Sequence, residues 1–175
     1  MGAASTQYTQ KLMRVFVKRL SDEDPEVKSN AAFGTGLLCE KSTDGKEILS
    51  NYNTILGKLE PLLDASAGSS DAHARLLDNA AGCVSRMIKK SPQHVPLEDV
   101  LPRLVEILPL KEDYDENEPV YDMLVTLYQQ QNQVAQGLTQ SLLPVFEKVL
   151  GEPQEQLSDE MRAKVQELAQ YVSRG

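Results

Sequence analysis

The residues best suited to chemistry in this chain are clustered carboxylates. Six acidic side chains and no basic one lie between residues 112 and 122. Carboxylates accept hydrogen bonds from ammonium groups, so the run could bind lysine side chains. Acids are also favoured at helix N-termini by the helix dipole alone, which leaves capping and solubility as the alternative. The run comprises Glu112, Asp113, Asp115, Glu116, Glu118 and Asp122, and similar runs are Asp22, Glu23, Asp24 and Glu26, and Glu152, Glu155, Asp159 and Glu160.

A repeated pattern adds amide and aromatic groups. The Asn-Ala-Ala pattern at Asn30 returns at Asn79, 49 residues later, and each copy opens an amphipathic helix. If the copies stack, Asn30 lies next to Asn79, and Phe33 lies next to Gly82, whose missing side chain leaves room beside the ring. This predicts a slot for a long side chain. The alternative is that both asparagines only bridge neighbouring helices through hydrogen bonds.

Stacking would also align the acidic helix starts, so that the three acidic runs merge into one negative ridge. A lysine-rich segment crossing the ridge is then predicted to place its ammonium near Asn79, Asp115 and Glu116. Its methylene groups would lie on Phe33, since lysine stems cover apolar surface while the charged end stays polar.

No catalytic or metal-binding pattern accompanies these groups. His73 and His94 are far apart in the sequence, there is no Cys-x-x-Cys motif, and no glycine-rich loop follows a strand. No carboxylate is placed by the pattern in the apolar setting that raises the pKa of a general acid. We therefore expect a binding protein that is not an enzyme and needs no cofactor or metal.

Helices must position these residues, because every element has one apolar stripe with helical spacing and no strand pattern competes. We predict eight helices in four antiparallel pairs, an A helix and then a B helix in each pair. Asp24 and Pro25 supply an N-cap and a first-turn proline for the first B helix, and Ser91-Pro92 ends the second. The third B helix is expected to resume at Pro119.

Each predicted helix contributes one apolar stripe to the core. Cys39 and Cys83 lie on or beside these stripes and are predicted to be small buried hydrophobic residues. The stripes are Leu12, Val15, Phe16 and Leu20; Val27, Ala31, Gly34 and Leu38; Ile48, Tyr52, Ile55, Leu59 and Leu62; Leu76, Ala80, Cys83 and Met87; Val100, Leu101, Leu104, Ile107 and Leu108; Val120, Leu124 and Leu127; Val134, Leu138, Leu142, Val145 and Val149; Met161, Val165, Leu168 and Val172.

The spacing of the repeated pattern fits helical-pair repeats, whose usual period is roughly 40 to 47 residues. We predict an all-α solenoid of about four repeats, at residues 5–42, 44–91, 96–131 and 133–173. The first helix lacks the polar cap that a terminal repeat needs, so the chain is expected to be the end of a longer array.

The charge balance restricts the partners. The chain has 18 Lys and Arg against 26 Asp and Glu, a formal net charge of -8. This argues against nucleic acid and anionic membranes and favours a basic partner. Two cysteines, no signal peptide and no long apolar run indicate a reducing cytosolic or nuclear setting.

Several segments resemble one known family. Residues 78–82 (DNAAG), 90–92 (KSP), 108–113 (LPLKED) and 127–129 (LYQ) are similar to the C-terminal HEAT repeats of the importin four subfamily of karyopherin-β nuclear import receptors. The resemblance covers about residues 24 to 131 and is most specific from 78 to 130. The last helix pair matches only in general character.

The resemblance implies a receptor that carries core histones and some ribosomal proteins into the nucleus and shuttles through nuclear pores. It implies that an extended lysine-rich signal binds the concave B-helix face, and that Ran binds N-terminal repeats absent from this chain. Nucleoporin pockets on the convex face are a further implication. The predicted cargo-peptide residues are Asn30, Phe33, Asn79, Asp115, Glu116 and Glu118.

Two positions depart from the family pattern. Asp115 stands where a longer glutamate is usual, and Phe33 replaces a tyrosine and so lacks its hydroxyl. The alternative function is a HEAT-repeat scaffold for another protein complex, with a groove that is not specific for lysine. Binding to such a groove would depend little on salt or lysine acetylation.

Overall fold

The computed structural model describes residues 3–42, 45–66, 70–152 and 156–173, with side chains from residue 8 onward. Within these ranges the chain forms ten α-helices and no strand, so the all-α prediction is confirmed. The helices are α1 Ala3–Arg19, α2 Pro25–Lys41, α3 Gly45–Ser50, α4 Tyr52–Leu59, α5 Asp71–Lys90, α6 Leu97–Ile107, α7 Asn117–Gln129, α8 Gln133–Gly137, α9 Thr139–Gly151 and α10 Asp159–Val172.

The helices form two layers, as in a HEAT-repeat solenoid. The B layer contains α2, α5, α7 and α10, and each of these helices contacts the next one along the chain. The A layer contains α1, α3 with α4, α6, and α8 with α9, and it covers the B layer. The boundary predicted at residue 44 lies outside the described residues.

The predicted starts and ends of the B helices follow from side-chain capping. Asp24 accepts a hydrogen bond from the backbone N–H of Glu26 at 2.8 Å, and Pro25 opens α2 as predicted. Ser70 and Ser158 cap α5 and α10 in the same way. Helix α5 ends at Lys90, before the predicted Ser91-Pro92 stop.

Two predicted A helices are broken, which corrects the expected count of eight. The segment expected as one helix from residue 48 to 62 is α3, α4 and a 3₁₀ turn, Glu60–Leu62. At the first break, the side chain of Asn51 donates to the carbonyl oxygen of Glu47 at 2.8 Å, a local bond that competes with the helix. The fourth A helix breaks at Leu138, between α8 and α9.

The third B helix begins earlier than predicted. Helix α7 starts at Asn117 and is preceded by a 3₁₀ turn, Tyr114–Glu116, whereas the prediction began it at Pro119. Proline is tolerated there because backbone N–H groups in the first helical turn have no partner within the helix.

The apolar stripe predicted for α1 is partly wrong. Leu12 and Val15 are 45% and 52% exposed. Helix α1 instead buries Met13, whereas Leu20, directly after the helix, is buried as predicted and Phe16 is partly buried. The other predicted stripes are buried or lie partly buried against the core, and within the described ranges no helix has the length and apolar character needed to cross a membrane.

Small residues let the first B helices approach their neighbours closely. A Cβ atom added to Gly34 would lie 2.7 Å from the ring of Phe16, and one added to Gly36 would lie 2.9 Å from Cα of Cys83. Cys39 and Cys83 are fully buried as predicted, and burial raises the pKa of the Cys39 thiol to about 12. Both thiols therefore act as small core groups.

Substituting Gly36 by alanine tests this close contact between α2 and α5. We expect Gly36→Ala to lower the free energy of unfolding by about 1 to 3 kcal/mol, because the new methyl group meets backbone atoms that cannot move alone. The matched control is Gly57→Ala in α4, where a Cβ meets nothing within 4 Å. Gly57→Ala should raise the free energy of unfolding by up to about 1 kcal/mol, because alanine has the higher helix propensity. Urea denaturation measures both, and equal effects would contradict the contact.

Candidate cation-binding surface

The acidic loop, residues 111–116, joins α6 to α7 and is held by α5. Asp78 is 2% exposed, and its carboxylate accepts hydrogen bonds from three consecutive backbone N–H groups. These belong to Lys111 at 3.1 Å, Glu112 at 2.7 Å and Asp113 at 2.8 Å. Asp78 therefore fixes the shape of the loop backbone. In the sequence, Asp78 stands out only as the first residue of the DNAAG motif, which predicts no role for its side chain.

The two asparagines of the repeated pattern have different surroundings. Asn79 is 3% exposed, and its amide donates to the carboxylate of Asp113 at 2.9 Å and to the carbonyl oxygen of Arg75 at 3.0 Å. Asn79 thus bridges α5 and the acidic loop. This agrees with the alternative that its hydrogen bonds connect neighbouring parts of the protein and do not bind a ligand. Asn30 is exposed, and no hydrogen bond of its side chain occurs in the described part of the chain.

Glu116 is buried, although the sequence suggested a carboxylate facing a ligand. Its side chain forms a double hydrogen bond with Arg86, Oε1 to Nη2 at 2.9 Å and Oε2 to Nη1. Burial raises the pKa of the Glu116 carboxyl, and the Arg86 guanidinium opposes that rise. Burial likewise raises the pKa of Asp78. The expectation that no carboxylate lies in an apolar setting is therefore wrong for these two residues.

The slot predicted beside Phe33 is already filled by the protein itself. A Cβ atom at Gly82 would overlap the carboxylate of Glu116, so the glycine makes room for Glu116. The guanidinium carbon of Arg86 lies 5.6 Å from the centre of the Phe33 ring. A cation thus already sits between an aromatic ring and an acid, as was predicted for a bound lysine.

Arg86 has a third neighbour. Its Nε lies 3.6 Å from the carboxylate of Glu40, on α2. The spacing of residues 79, 82 and 86 along a helix puts Arg86 on the same flank of α5 as Asn79 and Gly82. The sequence signal for this ion pair is an arginine one turn after a glycine on one B helix, together with an acid at the start of the next B helix.

Other predicted residues remain exposed on the same surface. Phe33 is 40% exposed, and Glu112 and Asp115 are exposed. Asp115 makes no ion pair or hydrogen bond with its side chain among residues that the structure describes. Glu118 is partly buried, and its Oε1 accepts from the backbone N–H of Ser158 at 3.3 Å, at the start of α10. The candidate cation-binding surface is defined here as the exposed residues Glu26, Asn30, Phe33, Glu112 and Asp115.

Some carboxylates of the other acidic runs form contacts within the fold. Asp22 pairs with Arg19 at 2.8 Å, and Glu160 pairs with Lys164 at 2.7 Å. On α5, Arg75 is exposed and adds a positive charge between α2 and the acidic loop. Glu155 lies outside the described residues. Arg75 therefore interrupts the negative surface between α2 and the acidic loop, and Asp159 and Glu160 are exposed at the start of α10.

No arrangement typical of a metal centre accompanies these carboxylates. Across the four described ranges, no three histidine, cysteine or acidic side chains come together as ligands for one ion. The chemistry available to the exposed groups is attraction of cations and hydrogen-bond acceptance.

Comparison with known proteins finds relatives that are named as importins. No protein-family model matches it. It is 39% identical over 171 residues to the Schizosaccharomyces pombe protein named "Probable importin subunit beta-4", covering 98% of this chain. It is 34% identical over 152 residues to human Importin-4, covering 87%, and 32% identical over 150 residues to mouse Importin-4, covering 86%. The matches span 15%, 13% and 13% of those proteins.

The stacked helix pairs and these matches together define the class of protein. The chain belongs to the karyopherin-β class of HEAT-repeat proteins. Within that class its sequence is importin-4-like, although it spans only about one seventh of the length of these relatives.

Proposed function

We propose that this chain is a cargo-binding region of a nuclear import receptor. Its ligand is a lysine-rich nuclear localisation signal, such as a core histone tail, and the receptor shuttles between cytoplasm and nucleus. The observation that carries the proposal is the exposure of Glu112 and Asp115 on a loop whose backbone Asp78 fixes. Because the loop backbone is already fixed, binding a ligand costs less conformational entropy than it would on a flexible loop.

The six residues predicted from the sequence divide into two roles in this proposal. Asn30, Phe33 and Asp115 are exposed and contact the peptide. The face of Phe33 that remains in solvent accepts lysine methylene groups, and Asp115 attracts the ammonium. The remaining residues, Asn79, Glu116 and Glu118, shape the surface by bonding to Asp113, Arg86 and Ser158.

Further partners follow from the same proposal. Ribosomal proteins are candidate cargo because they too carry lysine-rich signals. Nucleoporins would bind the A-helix face, and Ran would bind repeats other than these. The net charge of -8 supports a basic protein ligand over nucleic acid or an anionic membrane. The proposed role needs no catalysis and no cofactor.

A calorimetric titration tests the proposal. The ligand is a lysine-rich core-histone tail peptide, compared with the same peptide acetylated at one lysine at a time. We expect binding that weakens with rising salt and is lost when one particular lysine is acetylated, because acetylation removes the charge. No binding by the unmodified peptide would contradict the proposal.

The second candidate is a HEAT-repeat scaffold for another complex. The observation that favours it is Arg86, which occupies the place predicted for a lysine and leaves the buried Glu116 without capacity for a ligand. Binding of the peptide that is insensitive to both salt and acetylation would support this scaffold.

A further inference from the structure

The backbone of the acidic loop has the form of an anion site. The N–H groups of Lys111, Glu112 and Asp113 all converge on one point. Successive backbone N–H groups that converge in this way form a concave nest, which attracts a negative charge. Here the negative charge is the carboxylate of Asp78, supplied by the neighbouring helix α5.

The nest is filled by a carboxylate of the protein itself, so its N–H groups are not available to a ligand at the outer face of the loop. With these N–H groups bonded to Asp78, the exposed ionic groups of the loop are the carboxylates of Glu112 and Asp115 and, at its first residue, the ammonium of Lys111. An empty nest would instead offer unpaired donors and attract anions to the same loop. The internal carboxylate therefore leaves the loop with acceptors for cations.

Helix α5 also holds the loop through two side-chain contacts, one in the middle of the loop and one at its last residue. Asn79 binds the side chain of Asp113, and Arg86 binds Glu116, two turns further along α5. Asp78 lies at the N-terminal end of this series and is the only one of the three that bonds to the loop backbone among the described contacts. Its loss would free the peptide groups that orient Glu112.

We infer that Asp78 is a positioning residue of the cation-binding surface. Its buried charge occupies the nest of the acidic loop and thereby fixes Glu112 and Asp115 as acceptors for lysine. The inference rests on the proposed function, since it concerns how the lysine-rich ligand is recognised. Asp78 itself touches no ligand.

The first test compares peptide binding by the wild type, Asp78→Asn and Val149→Ala. Asparagine keeps the shape of the side chain but removes the charge and turns one acceptor into a donor facing N–H groups. Val149 is buried in α9, so its truncation is a control for general destabilisation. Below the unfolding transitions of both variants, Asp78→Asn should bind the histone-tail peptide at least about tenfold more weakly, whereas Val149→Ala should bind like the wild type.

A second variant gives a readout that a loss of stability alone would not produce. Asp78→Ala leaves space for a small carboxylate, so added formate should restore peptide binding, whereas chloride at the same ionic strength should not. Amide hydrogen exchange at residues 111–113 should be fast in Asp78→Asn and slow in the wild type. If Asp78→Ala does not fold, Asp78→Asn and its amide exchange still decide the question.

The outcomes separate two kinds of failure. If the wild type binds the peptide and Asp78→Asn binds it equally well, the positioning role is overturned while the proposed function stands. Unchanged amide exchange in Asp78→Asn would also overturn it. If the wild type does not bind, the proposed function fails, and this inference fails with it.

Discussion

Replacing Glu116 by glutamine is expected to lower the free energy of unfolding by about 3 to 5 kcal/mol, because it leaves the buried Arg86 guanidinium without its anion. The side chain of Arg86 is 8% exposed, so water cannot replace the lost partner. Glu40 lies 3.6 Å from Nε but is itself partly solvated and offers little compensation. Urea denaturation followed by circular dichroism measures the change.

The chain provides a matched control for this prediction. Lys89 and Asp122 form an ion pair between the same two helices, α5 and α7, but this pair is solvent-exposed. We expect Lys89→Met to lower the free energy of unfolding by less than about 1 kcal/mol. The double variant Arg86→Met with Glu116→Gln should recover part of the loss, since neither charge is then left alone. If Glu116→Gln and Lys89→Met lower the free energy of unfolding equally, burial of the Arg86–Glu116 pair adds nothing to its contribution to stability.

Reversing the charge of Asp115 is expected to weaken binding of a lysine-rich peptide by at least about tenfold at low salt. Asp115→Lys places an ammonium where the proposed ligand brings its own, and like charges in contact cost several kcal/mol. The carboxylate is exposed and unpaired in the described chain, so the fold should be unaffected. The free energy of unfolding should fall by about 1 kcal/mol or less, because the new positive charge lies near the N-terminus of α7 and opposes its helix dipole. Calorimetry gives the affinity, and thermal unfolding gives the stability.

Glu147→Lys is the control for net charge. Glu147 is exposed in the A-layer helix α9, so its reversal changes the total charge equally on another part of the molecule. We expect its affinity for the peptide to stay within about twofold of the wild type, because exposed charges more than a Debye length apart are screened. Equal weakening by both variants would mean that overall charge, and not the acidic loop, governs binding.

The helical architecture could be predicted because its signals are local. Asp24-Pro25 starts α2 and Ser91-Pro92 follows the end of α5, and both depend only on neighbouring residues. The solenoid followed from the repeated Asn-Ala-Ala pattern. The breaks at Asn51 and Leu138 were missed because the apolar stripe runs on across them, so periodicity alone did not reveal them.

The details of the site could not be predicted because they depend on contacts between distant residues. Asp78 reaches residues 33 to 35 positions away, and Arg86 pairs with an acid 30 positions away. Helical spacing is enough to put Arg86 and Gly82 on the same flank of α5. It did not give the offset between neighbouring helices, which decides that Glu116, and not a ligand, fills the space at Gly82.

The breaks in the A layer give the two layers of the solenoid different mechanical properties. Each B-layer helix is continuous, whereas the A layer is jointed at Asn51 and Leu138. A continuous helix is stiff along its axis, but a joint between short helices changes its angle through a few backbone torsions. A force that bends an A-layer element along its length is therefore taken up at these joints. The stiff B layer, which carries the acidic loop, then keeps the spacing of its charges under load.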